Sequence, residues 1–164
     1  MRQFTKFTLV SLCVLAMNAC GAGEDTNSIT ENTAGQSVIL SQSEVTGNVG
    51  DWGTFFPYFT EDTHVLKPVL VGVAKIDAGQ EVHPAHRHAD EEYLMVTKGR
   101  GTWYLNGVET EAKEGDILFA RAWDYHGVRA AADSPLEFVV FKYSGKSIQA
   151  PSDPDPTLPE ELKP

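Results

Sequence analysis

Residues 102–113 read Thr-Trp-Tyr-Leu-Asn-Gly-Val-Glu-Thr-Glu-Ala-Lys. Asn106-Gly107 lies between two extended runs, Thr102–Leu105 and Val108–Ala112. Both central residues accept positive φ, which the tight primed hairpin turn requires, so the segment predicts a β-hairpin. In its second arm Val108, Thr110 and Ala112 alternate with Glu109, Glu111 and Lys113, a period of two with one wet face. Outward from the hairpin the pattern repeats. Strands are expected over 65–76, 81–88, 91–97, 117–120, 126–130 and 136–143, with a turn at Lys113-Glu114-Gly115-Asp116. No stretch has helical periodicity. Seven or eight short strands with regular turns imply an all-β domain, either a closed barrel or a two-sheet sandwich.

The two ends read differently. Arg2 and Lys6 precede an apolar run from Phe7 to Met17, followed by small residues at Ala19, Cys20, Gly21 and Ala22. This is the plan of a secretory signal peptide over 1–19. The run spans 11 residues, too short for a membrane-crossing helix, which needs about 20. Met17-Asn18-Ala19-Cys20 resembles a bacterial lipobox, which implies a lipidated Cys20. The expected location is therefore exported, periplasmic or cell-surface, and lipid-anchored. Gly21 after the cysteine favours an outer membrane. Residues 20–50 are rich in Ser, Thr, Asn and Gly and read as a flexible tether. The folded domain is expected over 51–144. Residues 145–164 hold five of the nine prolines, so this tail cannot pair in a sheet and is either disordered or draped over the domain.

Cys13 leaves with the leader and Cys20 stands alone, so no disulfide is expected in the mature fold. The net charge is −10; removing the two positive charges of residues 1–19 leaves 11 − 23 = −12. That excludes nucleic acid and an anionic lipid surface as partners, the lipid anchor aside.

Chemistry concentrates in four residues. His86 and His88 are two apart, so on a strand both imidazoles reach one side. Glu92 is four residues beyond His88, ~13 Å along a straight strand. To join the histidines it needs a turn at Ala89-Asp90, which those residues permit. His126 lies 34 residues after Glu92, and two antiparallel excursions can return it to the first pair. Three imidazoles and a carboxylate suit Zn, Fe, Mn, Ni or Cu and leave positions for substrate or water.

Gly79, His86, His88, Glu92 and Gly99 resemble the first motif of the cupin family: Gly, His-x-His, Glu, Gly. Six residues separate Gly79 from His86 where the usual form has five. Gly115-Asp116 through His126-Gly127 resembles the second motif. Arg121, Trp123 and Ala130 stand there in place of the usual Pro, Gly and Asn. The resemblance covers residues 65–143. It implies a small antiparallel β-barrel, or jelly roll, with one divalent transition metal held inside by His86, His88, Glu92 and His126. Glu91 is out of register with that pattern.

The resemblance further implies a metalloenzyme acting on a small polar molecule such as a sugar acid or organic acid, of isomerase, lyase or dioxygenase type. The alternative is a non-catalytic, membrane-tethered module that binds a small ligand or metal. Candidate acid–base or substrate-binding groups are Tyr104, Arg121, Tyr125 and Lys142. His83 is a candidate hydrogen-bond partner of the ligands, and more simply a loop histidine. Trp52, Phe55, Phe56, Tyr58 and Phe59 form an aromatic cluster that either closes the barrel mouth or packs on the sheet or on a second subunit. Pairing of two copies through their sheets is a further expectation of the resemblance.

Overall fold

The computed structural model describes residues 36–155. The expected leader, Cys20, the start of the tether and residues 156–164 of the tail lie outside the described residues. Eight strands follow in chain order: β1 (Asn48–Gly50), β2 (Gly53–Phe59), β3 (Leu66–Ile76), β4 (Glu91–Leu105), β5 (Val108–Lys113), β6 (Ile117–Ala120), β7 (His126–Ala130) and β8 (Leu136–Gly145). Every strand pairing is antiparallel. One 3-10 turn, Gln42–Glu44, is the sole helical element among the described residues.

β4 organises the barrel. Its first half pairs with β8 and β6, and its second half with β5 and β7. One strand therefore joins two sheets, giving the jelly-roll type of closure. The change of sheet depends on a shift in register between Val96 and Lys98. Before it Glu92, Leu94 and Val96 are buried; after it Trp103 is buried and Leu105 packs on the core. One inserted residue thus moves the inward face from even to odd positions. Gly99 makes this possible. Its φ is +78°, and a Cβ there would lie 2.0 Å from the Pro135 carbonyl oxygen. The expected strands 91–97 and 102–105 are accordingly one strand.

The core is the inner face of these sheets: Ala74 and Ile76 of β3, Leu94, Val96 and Trp103 of β4, Leu118 and Ala120 of β6, Val128 and Ala130 of β7, and Leu136, Phe138 and Val140 of β8. The hairpin forms as expected, with φ of +49° at Asn106 and +84° at Gly107. Its apolar face is covered only in part: Ala112 is buried, while Val108 is 62% exposed.

One expectation changes and two alternatives left open are decided. Residues 81–88 are not a strand; they pair only at two points, Glu81 with Arg129 and His86 with His126. Pro84 has no N–H to donate, and the chain bends through residues 82–85. Phe55, Phe56, Tyr58 and Phe59 of the aromatic cluster lie in β2, paired with β3, and Trp52 in the turn before it packs on the core together with Phe55. The cluster is part of the sheet and not a lid. The tail is draped: beyond Gly145 it crosses the barrel surface as far as Asp155 without entering a sheet.

Candidate metal centre

Three elements meet at one end of the barrel core. The irregular segment 86–88 carries His86 and His88, β4 carries Glu92 as its second residue, and β7 begins with His126. Reciprocal backbone bonds between His86 and His126, 3.0 and 2.9 Å long, clamp the first segment to β7. The chain bends at Ala89-Asp90 before β4 starts, the turn that Glu92 needs. Glu92 shares the inward parity of Leu94 and Val96 and is buried, whereas Glu91 is exposed. The alternation of β4 thus selects between two neighbouring carboxylates.

A ring nitrogen from each of His86, His88 and His126 lies within 4.8 Å of the others, so these three side chains could hold a metal ion. Glu92 closes the fourth side. Its Oε2 is 3.2 Å from His88 Nε2 and its Oε1 is 3.5 Å from His126 Nε2. The imidazoles are held from behind. His88 Nδ1 is 3.0 Å from the Asp90 carbonyl oxygen, and His126 Nδ1 is 2.8 Å from that of Asp124. A carbonyl can only accept, so each Nδ1 carries the proton and each Nε2 turns its lone pair inward. Ser144 fixes the first support by donating to the Asp90 carboxylate over 2.5 Å.

This arrangement fits a cation. Lone pairs on two imidazoles face a carboxylate, so neutral rings and an ionised Glu92 repel unless a positive species lies between them. His126 Nε2 is too far from Glu92 for a good hydrogen bond, and it and His86 Nδ1 are buried without a partner. An unpaired buried polar atom costs about 1–3 kcal/mol, and an ion would take up the free His126 Nε2. The titration of His86 agrees. Burial lowers the His86 pKa to about 3, assisted by His83, His126 and His88, so the ring stays neutral and able to donate a lone pair. For Glu92 burial acts to raise the pKa, but the His126 and His88 rings facing it outweigh this when they carry the second proton, and hold the carboxyl well below the usual range. For His126 burial acts to lower the pKa, yet the adjacent carboxylate moves it up.

The other candidates separate clearly. Lys142 is the register partner of Glu92 across β4 and β8, with the inward parity of Phe138 and Val140, and its charge acts on His126. Arg121 is exposed and paired with Asp124 over 3.1 Å. Tyr104 has the opposite parity to buried Trp103 and lines a surface groove with Glu81, Glu109 and Arg129. Tyr125 lies against the Arg87 guanidinium, 5.5 Å from its ring centre. His83 is exposed, yet its ring stands edge-on to His86 at 4.1 Å.

Arg87 escapes a reading of the sequence. It alternates with two ligand candidates, points away from them, and is 4% exposed. Trp123 covers it from one side, 5.7 Å from ring centre to guanidinium. The sequence does signal Trp123, through its departure from glycine. The structure gives it φ +69°, the left-handed region, at a cost of roughly 1–2 kcal/mol for a side chain of this kind.

Fold and site together define a small jelly-roll barrel with an internal cluster of three imidazoles and a carboxylate. Residues 72–142 match the family described as the cupin domain. The barrel is a single small cupin domain. A gentisate 1,2-dioxygenase from a Streptomyces species is 30% identical over 61 residues, which are 37% of this chain and 17% of that enzyme. The chain thus spans about a sixth of the length of that relative. Among solved structures, a predicted oxalate decarboxylase from Thermotoga maritima superposes with a TM-score of 0.54 at 17% identity, covering 64% of this chain and 97% of that one. A polyketide cyclase from Streptomyces resistomycificus gives 0.56 at 16% identity, covering 77% and 89%. A cupin-2 domain from Rhodospirillum rubrum gives 0.53 at 19% identity, covering 73% and 83%. These likenesses establish the fold.

Proposed function

We propose that this cupin is a metal-dependent enzyme acting on a small organic acid, with one divalent transition metal held by His86, His88, His126 and Glu92. The observation that carries the reading is the inward Lys142 beside an imidazole–carboxylate cluster whose lone pairs converge. A bound divalent ion would supply Lewis-acid polarisation of a carbonyl or carboxylate oxygen. The protein's own groups supply the rest. Asp90 and Asp124 orient two imidazoles through their carbonyls. Glu92 balances the positive charge. Lys142 offers an ammonium to a substrate carboxylate and orients it for reaction. The apolar inner faces of β3 and β8 exclude water. The short match to a dioxygenase of an aromatic acid supports an acid substrate, and oxygenase chemistry within the range of reactions expected.

Elemental analysis of the purified protein, followed by thermal shift and turnover assays with a panel of mono- and dicarboxylic acids with and without the metal found, tests the proposal. One metal per chain, metal-dependent stabilisation by an acid and its conversion are expected. Stabilisation without conversion would favour the binding module instead. Pairing of two copies belongs to the same proposal. It is supported by the apolar outer face of β6, β4 and β8, where Tyr93 stacks on Phe119 at 4.6 Å and Ile117 is 60% exposed. Equilibrium sedimentation should then give a dimer.

A further inference from the structure

The described residues include three buried polar or charged side chains: Glu92, His126 and Arg87. The first two belong to the metal centre. Arg87 faces away from it, and its partners come from the far end of the chain. Its Nη2 is 2.9 Å from Asp153 Oδ1 and donates to the Asp155 carbonyl oxygen over 2.7 Å. Asp155 N–H returns to the Asp153 carboxylate over 2.9 Å, so the tail closes a small turn around the guanidinium. Trp123 seals the arrangement. Its indole N–H donates to the Pro151 carbonyl oxygen over 2.8 Å, and its own backbone N–H donates to the His88 carbonyl oxygen over 2.7 Å. On the way the tail passes Ala89 and Ala122, each beside a ligand-bearing segment.

We propose that residues 150–155 form a strap that holds the metal centre in shape from outside the barrel, and that Arg87 and Trp123 are positioning residues through which it acts. The inference rests on the assignment of His86, His88, His126 and Glu92 as the metal site. The reasoning is geometric. Segment 86–88 is not a strand; its ladder bonds are confined to one point, opposite His126. Beyond the clamp at His86 and the Asp90 contact to His88, the segment has no continuous sheet neighbour to hold it. The strap supplies the missing constraint by gripping the one residue between them. Through Trp123 it also grips the loop leading to His126. A tryptophan held at positive φ is otherwise unfavourable, and its indole is the part of the loop that reaches the strap. A tail that is merely laid on a surface needs no buried arginine; this one neutralises the charge that the His-Arg-His segment places in the interior.

The test uses the full chain, the isosteric variant Asp153→Asn and a variant ending at Gln149. Binding of Co(II) is followed by its visible absorption bands and by competition with a chelator. The melting temperature of each metal-free protein is measured alongside. Loss of a group that orients metal ligands typically weakens binding 10–100-fold. About tenfold or greater weakening in both variants, with altered Co(II) bands and all four ligands intact, is the expected result. Equal Co(II) affinity and identical bands in all three proteins would overturn the strap while leaving the metal site standing, even if the variants melt earlier. Failure of the unaltered protein to bind Co(II) at all would overturn the metal assignment and the strap with it.

Discussion

Glu92 on β4 and Lys142 on β8 are register partners on the inner face of the barrel, one row above the hydrophobic pair Leu94 and Val140. Side chains so paired have Cβ atoms about 4.5–5.5 Å apart. The row continues to Leu70 on β3 and Ala120 on β6, so a carboxylate and an ammonium share one layer with two apolar neighbours. A cation placed next to a metal-binding carboxylate has a use when a second anion arrives with the substrate.

That relationship makes Lys142 testable apart from the metal. Lys142→Met keeps the stem and removes the charge. Metal content should be unchanged, while KM for an acid substrate, or its dissociation constant, should rise by about tenfold or more, the loss of a charge-assisted contact worth roughly 1.5–3 kcal/mol. Titration of the acid into both proteins, by calorimetry, checks this. Equal affinity would remove Lys142 from the substrate site.

Removal of a ligand should act on the metal first. His126→Ala or His86→Ala is expected to abolish stoichiometric metal binding, and a double variant that still carries one metal per chain would refute the assignment. Elemental analysis gives the answer. In the unaltered protein a strong chelator should lower the melting temperature, because an ion that binds only the native state stabilises it by mass action.

For the metal-free protein, pH supplies a further check. His86 has a folded pKa near 3 against an ordinary value of 6.5. Between those values the unfolded chain binds more protons than the native one, so this residue makes stability fall as pH drops from 6.5 toward 3. Raised His126 acts with the opposite sign, and Glu92, depressed in the fold, loses its contribution only below its ordinary 4.5. With chelator present, urea midpoints at pH 7 and pH 5 should diverge more for the unaltered protein than for His86→Gln. An equal drop in both would show that His86 is not held neutral by burial.

Gly99 carries the crossing of β4 between sheets. Gly99→Ala forces a side chain into the left-handed region and against the Pro135 carbonyl. A loss of about 3 kcal/mol or more is expected, measured as a lowered urea midpoint. At Gly115 the same substitution meets nothing within 4 Å, and only its positive φ resists. It should cost markedly less.

The expected export signal has its own experiment. Cys20→Ser should release the protein from the membrane fraction of its host. Unchanged fractionation would remove the lipid anchor.

Local chemistry alone determined much of this protein. Asn106-Gly107 specifies its hairpin because both residues tolerate positive φ, and the runs 117–120 and 126–130 form strands with the bounds that their patterning implies. The pair His86 and His88 was legible from its spacing, whereas the choice of Glu92 over Glu91 and the addition of His126, 34 residues on, came from the resemblance to the cupin motifs. What tertiary structure decided is everything that depends on which face turns inward after a break. One residue inserted between Val96 and Lys98 reverses the parity of β4, so that Glu92 and Trp103 share an interior although their positions differ in parity. Arg87 looks like a solvated arginine between two histidines. Burying it takes Asp153, 66 residues away, and a contact at that distance is set by packing rather than by any local pattern.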